Sequence, residues 1–352
     1  MTSSAPRLRV VAATPISEEL VALVTSIEPR VDFVRDQDLL PPMRHPGDHS
    51  GDPEFQRSGD EQARFEALVD SAEVLYGVPD ETPAALARTV GANPGLRWVQ
   101  TMPAGGGAQV RAANLDNDAL RRVAFSTTAG VHATPLAEFA VFGLLAGAKA
   151  LPRLQRQQAR AEWGGRFTMG LISEQRILIV GLGSIGRETA RLLSLLGATV
   201  IGTSRHERSV PHVAEVVHPD ELAAVAGRVD GIVVTLPGTT QTGNLLGEEF
   251  FRAVRPGASL VSVGRGTVID EQALLGALND GHIGFAALDV VASEPLDGRS
   301  PLWGHPLVLL SPHTAALNAA EDRLIAELFA RNATRFLDGE PLINRVDTVE
   351  FY

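Results

Sequence analysis

Residues 176–207 read RILIVGLGSIGRETARLLSLLGATVIGTSRHE, with three glycines between an apolar run and a helical pattern. The run Arg176–Val180 predicts a buried strand, and Gly181, Gly183 and Gly186 follow it directly as G-x-G-x-x-G. In such a loop the first glycine permits a tight turn, the second lets the backbone approach a pyrophosphate, and the third lets helix and strand pack closely. Glycine triplets also serve ordinary turns, but here a strand, a helix and a second strand surround the motif. The stretch therefore predicts a dinucleotide-binding βαβ unit.

The residues next to this motif bear on which dinucleotide binds. Backbone amides of Ser184 and Ile185 would meet phosphate at the positive end of the helix. An NAD-specific site usually has an acidic residue after the second strand, where it binds both ribose hydroxyls. Ser204 stands there instead and Arg205 follows, a pair that suits a 2′-phosphate. The sequence favours NADP over NAD, with Arg205 as a solvated loop cation the alternative.

Composition limits the classes of partner. The 352 residues carry 31 Lys plus Arg against 42 Asp plus Glu, a formal charge of −11, which argues against general binding to nucleic acid or anionic membranes. Without cysteine there is no disulfide, zinc thiolate site or thiol nucleophile. The N-terminus lacks the apolar core of a secretory signal, and the apolar stretch 136–151 is short for a bilayer span. We expect a soluble, cytoplasmic protein.

Strand and helix patterns alternate along most of the chain and predict two doubly wound, parallel-sheet α/β domains. Residues 1–126 are expected to begin a flavodoxin-like substrate-binding domain, and residues 319–352 to return to it. Residues 127–318 are expected to form a Rossmann dinucleotide-binding domain inserted between them. A helix is predicted at 134–151, begun by Pro135 and ended by Pro152.

Residues 37–60 interrupt the first domain with a long segment rich in Pro, Gly, Asp and His. Loops of this length in a compact domain are usually functional or disordered, so a mobile flap or a subunit contact is expected. His45, Asp48 and His49 lie in the segment, but their spacing does not predict a metal site. We predict no metal.

Four polar residues follow predicted strands of the second domain. Arg265 lies in LVSVGRGTVID, Asp289 and Glu294 lie in AALDVVASEPL, and His313 lies in LLSPHTA. The carboxyl ends of parallel strands meet at one edge of a sheet, the edge where the glycine motif also lies. Each residue alone has an ordinary alternative: a surface ion pair, a solvated turn acid, a helix cap or a turn histidine. Their shared position favours a site.

In order and spacing, the motifs from about Leu96 to Asn318 resemble the D-isomer-specific 2-hydroxyacid dehydrogenase family, which includes glyoxylate and hydroxypyruvate reductases and phosphoglycerate dehydrogenases. The residues before Leu96 fit only the general α/β pattern. The motifs are LRWVQTMPAG, TPLAEFAVFGLLA, Trp163, IVGLGSIG, VTLPGTTQTGNLL, VGRGTVID, ALDVVASEPL and SPHTA.

The resemblance implies an oxidoreductase that reduces a small 2-oxo acid to the D-2-hydroxy acid, or the reverse, with a nicotinamide cofactor. His313 would be the acid/base, since imidazole exchanges protons near neutral pH. Glu294 would hydrogen-bond and orient it and stabilise the imidazolium. Arg265 would hold the substrate carboxylate and polarise the oxo group, because its fork matches two oxygens. Asp289 would fix the nicotinamide carboxamide.

The resemblance also implies contacts made by neighbouring loops and a second subunit. Backbone amides of two first-domain loops would bind the substrate carboxylate, although the glycines in PAGGG could equally form a flexible turn. A homodimer would form around the predicted helix 134–151. The loop residues are Gly77, Val78, Ala104, Gly105 and Gly106, and Leu236, Pro237, Thr242 and Val263 would line the cofactor.

Departures from the family pattern leave alternatives open. Ser262 replaces the usual asparagine, Val291 replaces the usual aromatic residue, and no regulatory domain is expected after Tyr352. Some relatives are dinucleotide-sensing corepressors, an alternative that the intact Arg265, Glu294 and His313 set disfavours. Formate oxidation is weaker still, since that branch is expected to carry glutamine where Glu294 stands. The sequence identifies neither the substrate side chain nor the direction of reaction.

Overall fold

The structure is a computed structural model that describes residues 7–351. Its contacts divide the chain into two units, one formed by the residues up to His132 together with those from Leu317, the other by Ala133–Ala316. The strands are β1 (Leu8–Ala12), β2 (Val31–Val34), β3 (Val74–Tyr76), β4 (Trp98–Gln100), β5 (Ala124–Ser126), β6 (Arg176–Val180), β7 (Thr199–Thr203), β8 (Glu215–Val217), β9 (Gly231–Val234), β10 (Ala258–Ser262), β11 (Ile283–Leu288) and β12 (Val308–Leu310). The helices are α1 (Glu18–Ile27), α2 (Gly59–Val69), α3 (Pro83–Ala92), α4 (Gly107–Ala112), α5 (Asn117–Arg122), α6 (Ala133–Ala148), α7 (Leu151–Ala159), α8 (Ser184–Leu195), α9 (Leu222–Ala226), α10 (Glu248–Ala253), α11 (Glu271–Asn279) and α12 (Glu321–Leu337).

The first unit contains a five-stranded parallel sheet in the order β2-β1-β3-β4-β5. This is the flavodoxin-like order, whose switch point lies between β1 and β3. The C-terminal helix α12 completes the core: its Phe329 stacks on Trp98 with ring centroids 4.8 Å apart and meets Tyr76 edge-on at 5.1 Å. The last helix of the chain therefore belongs to the unit that begins it.

The second unit contains a seven-stranded parallel sheet in the order β12-β11-β10-β9-β6-β7-β8. Successive side chains of β6 point to opposite faces of the sheet. Ile177 packs in an apolar cluster with α6 and α8, and Leu178 packs in another with α9, α10 and α11. Both faces of the sheet are thus covered, as in a Rossmann fold. The predicted fold, a Rossmann domain inserted in a flavodoxin-like domain, is confirmed.

Helix α6 lies against β10 and β11 through its small residues. A Cβ on Gly143 would lie 2.7 Å from a Val261 methyl, and one on Gly147 would lie 2.1 Å from Ser259 Oγ. Within residues 7–351 no single helix is long and apolar enough to cross a membrane; α6 and α7 reach that length only together, across a 67° bend.

Some predicted boundaries differ from the structure. Pro152 lies in the first turn of α7, where the missing amide costs no hydrogen bond, and Ala150 in a left-handed conformation separates α6 from α7. The units divide at 132/133 and 316/317 rather than at 126/127 and 318/319. Thr127 donates to the Asn344 carbonyl at 3.0 Å and His132 Nε2 lies 2.8 Å from Glu321 Oε1, so residues 127–132 are bonded to the C-terminal segment.

The segment 37–60 is largely irregular, as predicted, but it is bonded to the rest of the first unit. The Gly47 amide donates to Asp322 Oδ1 at 3.1 Å, and a Cβ on Gly47 would lie 2.7 Å from the Glu321 carboxylate. Arg57 donates from Nη1 to Asp80 Oδ1 at 2.7 Å and lies over the Phe65 ring. These contacts join the segment to α12, to α2 and to the turn at Asp80, while the expected mobile flap or subunit contact stays a prediction.

Candidate active site

The glycine turn lies at the switch point of the second sheet, between β6 and β9. Gly181 adopts φ +108°, and a Cβ there would lie 2.8 Å from the Leu236 side chain. A Cβ on Gly186 would lie 2.0 Å from the Gly181 carbonyl, so only glycine fits at that position. Two hydroxyls fix the turn: Thr203 Oγ1 accepts from the Gly181 amide at 3.0 Å, and Thr235 Oγ1 donates to the Gly181 carbonyl at 2.7 Å.

The space in front of α8 is open on the side that a phosphate needs. A Cβ on Gly183 would meet no atom within 4 Å, so this glycine serves approach from outside rather than internal packing. No side chain of the described residues caps the N-terminus of α8, which leaves the amides around Ser184 and Ile185 available to an anion. These features fit a dinucleotide.

The turn after β7 presents cations to solvent. Ser204 Oγ accepts from the amides of His206 and Glu207 at 3.3 and 3.0 Å, so its hydroxyl organises the turn. Arg205 is exposed, and its only hydrogen bond in the described chain runs to Gln241 Oε1 at 3.1 Å. The one acid of this turn, Glu207, is paired with Arg187.

Arg265 follows β10 in a loop that glycines allow to pack closely. A Cβ on Gly264 would lie 2.4 Å from the Leu236 carbonyl oxygen, and one on Gly266 would lie 1.9 Å from the Val291 carbonyl carbon. Arg265 Nη1 donates to the Gly264 carbonyl at 2.9 Å, and no carboxylate within residues 7–351 pairs with the guanidinium. The surface ion pair considered as its alternative is therefore absent from the described chain.

Asp289 builds the turn that carries His313. It is buried at the end of β11, and its Oδ1 accepts from Ser311 Oγ at 2.6 Å and from the amides of Thr314 and Ala315 at 3.0 Å each. Its carbonyl accepts from the His313 amide at 2.9 Å. Asp289 Oδ2 has no partner among the described residues although it is buried. An unsatisfied buried carboxylate oxygen calls for a donor, and an amide group such as that of nicotinamide would supply one.

His313 and Glu294 form a hydrogen-bonded pair at this edge of the sheet. Nδ1 of His313 lies 2.7 Å from Glu294 Oε2, and Glu294 Oε1 accepts from the Val291 amide at 3.2 Å. His313 adopts φ +54°, a left-handed conformation that is costly for a non-glycine residue and is often found at functional sites. Its Nε2 makes no hydrogen bond within the described chain. The ring is thus oriented through one nitrogen and open at the other.

The remaining predicted residues of this unit surround the same edge. Val263 is buried and extends the pairing of β10 by donating to Val234 at 3.0 Å. Thr242 donates from Oγ1 to the Pro237 carbonyl at 2.7 Å, so its hydroxyl closes the loop after β9. Ser262, at the family's asparagine position, is buried with no partner for its hydroxyl among residues 7–351.

The predicted carboxylate-binding loops of the first unit are only partly free. The Gly77 amide already donates to the Gln100 carbonyl at 2.9 Å, and the Gly106 amide donates to Pro103 at 3.1 Å. In the described chain the amides of Ala104 and Gly105 make no hydrogen bond, whereas the buried Val78 amide faces the Glu81 carboxyl. The amides of Ala104 and Gly105 are therefore the ones that an anion could use.

Three residues that hold the turns of the site were not predicted from the sequence. The glycine turn is held by Thr203 and Thr235, and the histidine turn by Ser311. A hydroxyl residue at a strand end gives no sequence signal of such a role. The described residues contain no group of three or more His, Asp or Glu side chains that could hold a metal.

Comparison with known proteins identifies the family. The family model "D-isomer specific 2-hydroxyacid dehydrogenase, NAD binding domain" matches residues 141–315. Over 259 residues the chain is 31% identical to an uncharacterized protein in the proB 3′ region of Corynebacterium melassecola, covering 73% of this chain and 84% of that protein. The chain belongs to the D-isomer-specific 2-hydroxyacid dehydrogenase family. The predicted membership is confirmed.

Two further family members resemble the chain. It is 34% identical over 174 residues to glyoxylate/hydroxypyruvate reductase A of Salmonella choleraesuis, covering 49% of this chain but only 55% of that reductase. The crystal structure of a D-isomer specific 2-hydroxyacid dehydrogenase from Xanthobacter autotrophicus Py2 in complex with NADPH and MES matches with a TM-score of 0.76 and 27% identity, covering 99% of this chain and 100% of that one. Family membership, the open α8 N-terminus and the unsatisfied Asp289 Oδ2 together indicate a nicotinamide dinucleotide as the cofactor.

Proposed function

We propose that the protein reduces a small 2-oxo acid to the D-2-hydroxy acid, or catalyses the reverse reaction, with NADPH as the favoured cofactor. The observation that carries the proposal is the His313–Glu294 pair, 2.7 Å between Nδ1 and Oε2, at the same sheet edge as the glycine turn. Acid/base chemistry beside a dinucleotide site is what reduction of a carbonyl requires.

Each side chain has a role that its contacts support. Glu294 holds the His313 ring so that Nε2 can pass a proton to the oxo oxygen. The unpaired Arg265 binds the substrate carboxylate and polarises the carbonyl. Asp289 Oδ2 accepts from the carboxamide, while the amides of Ala104 and Gly105 bind carboxylate oxygens. When bound, the nicotinamide supplies the hydride.

The experiment follows absorbance of NADPH and then NADH with purified protein and a panel of glyoxylate, hydroxypyruvate, pyruvate and bulkier 2-oxo acids. Oxidation of the cofactor that depends on one of these acids supports the proposal, and chiral analysis of the product checks the D configuration. Dinucleotide binding without turnover of any acid contradicts it and favours the non-catalytic, dinucleotide-sensing alternative.

Cofactor preference depends on Arg205. The nearest acid, Glu207, is occupied by Arg187, whereas the guanidinium of Arg205 has no carboxylate partner in the described chain. We expect Arg205→Ala to raise the Kd for NADPH by roughly 10- to 100-fold, the size of a lost charge-assisted hydrogen bond, and to leave the Kd for NADH nearly unchanged. Fluorescence titration measures both constants. Arg252→Ala, which removes an exposed cation paired with Glu248, is the matched control. Equal weakening of both cofactors contradicts this role.

We also propose a homodimer, as the resemblance implies, formed by the region around α6. Phe142 and Leu171 are about half exposed and Trp163 is fully exposed, so a subunit contact here would bury large apolar side chains. Sedimentation equilibrium at micromolar concentration is expected to give twice the 37.4 kDa chain mass, and Trp163→Ser to shift the equilibrium toward monomer. A monomeric wild-type protein would overturn the proposal.

A further inference from the structure

Two loops lie side by side at the carboxyl edge of the first sheet. Val78 follows β3, and Ala104 and Gly105 follow β4, the parallel neighbour of β3 in which Gln100 pairs with Tyr76. The Gly77 amide bonds to the Gln100 carbonyl and so ties the first loop to the end of β4. The proposed function needs the second loop held where its amides fit a carboxylate.

A half-buried pair of side chains, Glu81 and Gln109, joins the two loops. Glu81 donates its amide to the Val78 carbonyl at 2.9 Å, and Gln109 donates its amide to the Gly106 carbonyl at 3.0 Å. Gln109 Nε2 donates both to the Glu81 carbonyl at 2.9 Å and to Glu81 Oε2 at 3.2 Å. An unbroken series of hydrogen bonds therefore runs from one loop through Glu81 and Gln109 to the other.

Glu81 is held in an unfavourable state by its surroundings. Asp80 and Glu81 adopt φ values of +53° and +51°, left-handed conformations that are rare for acidic residues in succession. Within residues 7–351, Oε1 of Glu81 and Oε1 of Gln109 are both buried without a hydrogen-bond partner. Burial raises the pKa of the Glu81 carboxyl to about 7, against the lowering effects of hydrogen bonds from the Gln109 side chain and the Val78 backbone amide.

Charged groups of the surrounding elements are paired with other side chains or exposed to solvent. Asp80, on the same turn, is paired with Arg57, and Arg88 of α3 is paired with Asp70. Arg111 of α4 is exposed. Because no cation among the described residues is paired with Glu81, ionisation of its carboxyl adds a net negative charge next to the amide loops.

We propose that Glu81, held by Gln109, is a positioning residue that fixes the spacing of the two amide loops and whose charge sets the affinity for an anionic substrate. This inference rests on the proposed function, in which the second of these loops binds the substrate carboxylate. The neutral carboxyl predominates below about pH 7 and is the form that favours binding. Above that pH the carboxylate repels the substrate and also strains the loop through its desolvated charge.

The test compares KM and kcat of the wild type and Glu81→Gln at pH 6 and pH 8, one unit either side of about 7. Glutamine keeps the size and the neutral state of the side chain. The ratio of wild-type KM to variant KM is expected to be near one at the lower pH and roughly three to ten at the higher pH, as for like charges within a Debye length. The kcat ratio stays near one. A KM ratio that does not change with pH overturns the proposal.

Two further variants separate positioning from general charge or stability. Glu18→Gln removes an exposed acid of the same unit and is expected to leave both KM profiles unchanged. Gln109→Met keeps the length of the side chain but removes both bonds to Glu81, so it is expected to raise KM several-fold at both pH values with little change in kcat. An unchanged KM in Gln109→Met contradicts the link between the loops, even if Glu81→Gln does not fold.

Binding of oxamate, an unreactive 2-oxo acid analogue, distinguishes failure of this inference from failure of the proposed function. Calorimetry on the NADPH-loaded protein is expected to show the same pH-dependent ratio of Kd values as KM shows. Turnover with a flat ratio rejects the inference and leaves the proposed function standing. Absence of turnover together with no oxamate binding at either pH rejects both.

Discussion

We expect His313→Gln to lower kcat for reduction of the best 2-oxo acid by roughly 10²- to 10⁴-fold, the range for loss of a positioned general acid. The structure gives the reason: Glu294 Oε2 lies 2.7 Å from Nδ1, and the described chain leaves Nε2 free to donate its proton. Glutamine can hydrogen-bond but cannot deliver a proton. The fall in kcat is measured from the rate of NADPH oxidation at saturating substrate in a stopped-flow instrument.

The control for this prediction is His218→Gln, which changes a partly exposed histidine that caps the short turn before α9. Its kcat is expected to stay within twofold of the wild type, an estimate typical of a surface substitution. The Kd for NADPH should be the same in His313→Gln as in the wild type, because His313 lies outside the glycine turn. Full activity in His313→Gln would assign the proton to another donor and remove the main support for the proposed function.

Much of the fold follows from sequence pattern because both sheets are parallel and buried. Strands such as β6 and β9 read as continuous apolar runs, and the glycine motif fixes the position of the switch point. The strands β5 and β8 were not predicted: each spans three residues and includes a polar one, Ser126 or Glu215, whereas the equally short β3 and β12 have no such residue. Helix α7 was missed because Pro152 can either end one helix or begin another, and the sequence alone does not choose.

The sequence predicted which residues lie at the candidate site and at which edge of the sheet, but not the hydrogen bonds between them. Arg265, Glu294 and His313 all follow strands, so their common edge follows from topology. That Asp289 holds the histidine turn with one oxygen and leaves the other unsatisfied depends on the backbone path of residues 311–315. Likewise Glu81 carries no signal in VPDET, because its hydrogen bonds with Gln109 of α4 join residues far apart in the chain.

Arg265→Gln is expected to lower kcat/KM for the 2-oxo acid by roughly 10²- to 10³-fold, the cost of removing one preorganised charged donor from an active site. The loss should appear in KM, since the substrate carboxylate loses its counter-charge, and in kcat, since the carbonyl is less polarised. Arg265→Lys keeps the charge but not the planar fork and should recover only part of the loss. Steady-state kinetics with glyoxylate and a larger 2-oxo acid measure both parameters.

The side chain of Arg265 makes few contacts that stabilise the fold, so a loss of activity in this variant reports on the substrate rather than on folding. Its side chain makes one hydrogen bond, from Nη1 to the adjacent Gly264 carbonyl, and no described carboxylate depends on it. The loop is instead held by Gly264 and Gly266 against Leu236 and Val291, so the substitution should leave the melting temperature and the Kd for NADPH unchanged. Arg228→Gln, which breaks an exposed pair with Glu215, controls for loss of a surface cation in the same unit.

If Arg265→Gln binds and reduces the acid as well as the wild type does, the carboxylate is bound elsewhere and the assignment of Arg265 is wrong. If KM rises while kcat holds, Arg265 binds the ground state and transition state equally and does not polarise the carbonyl.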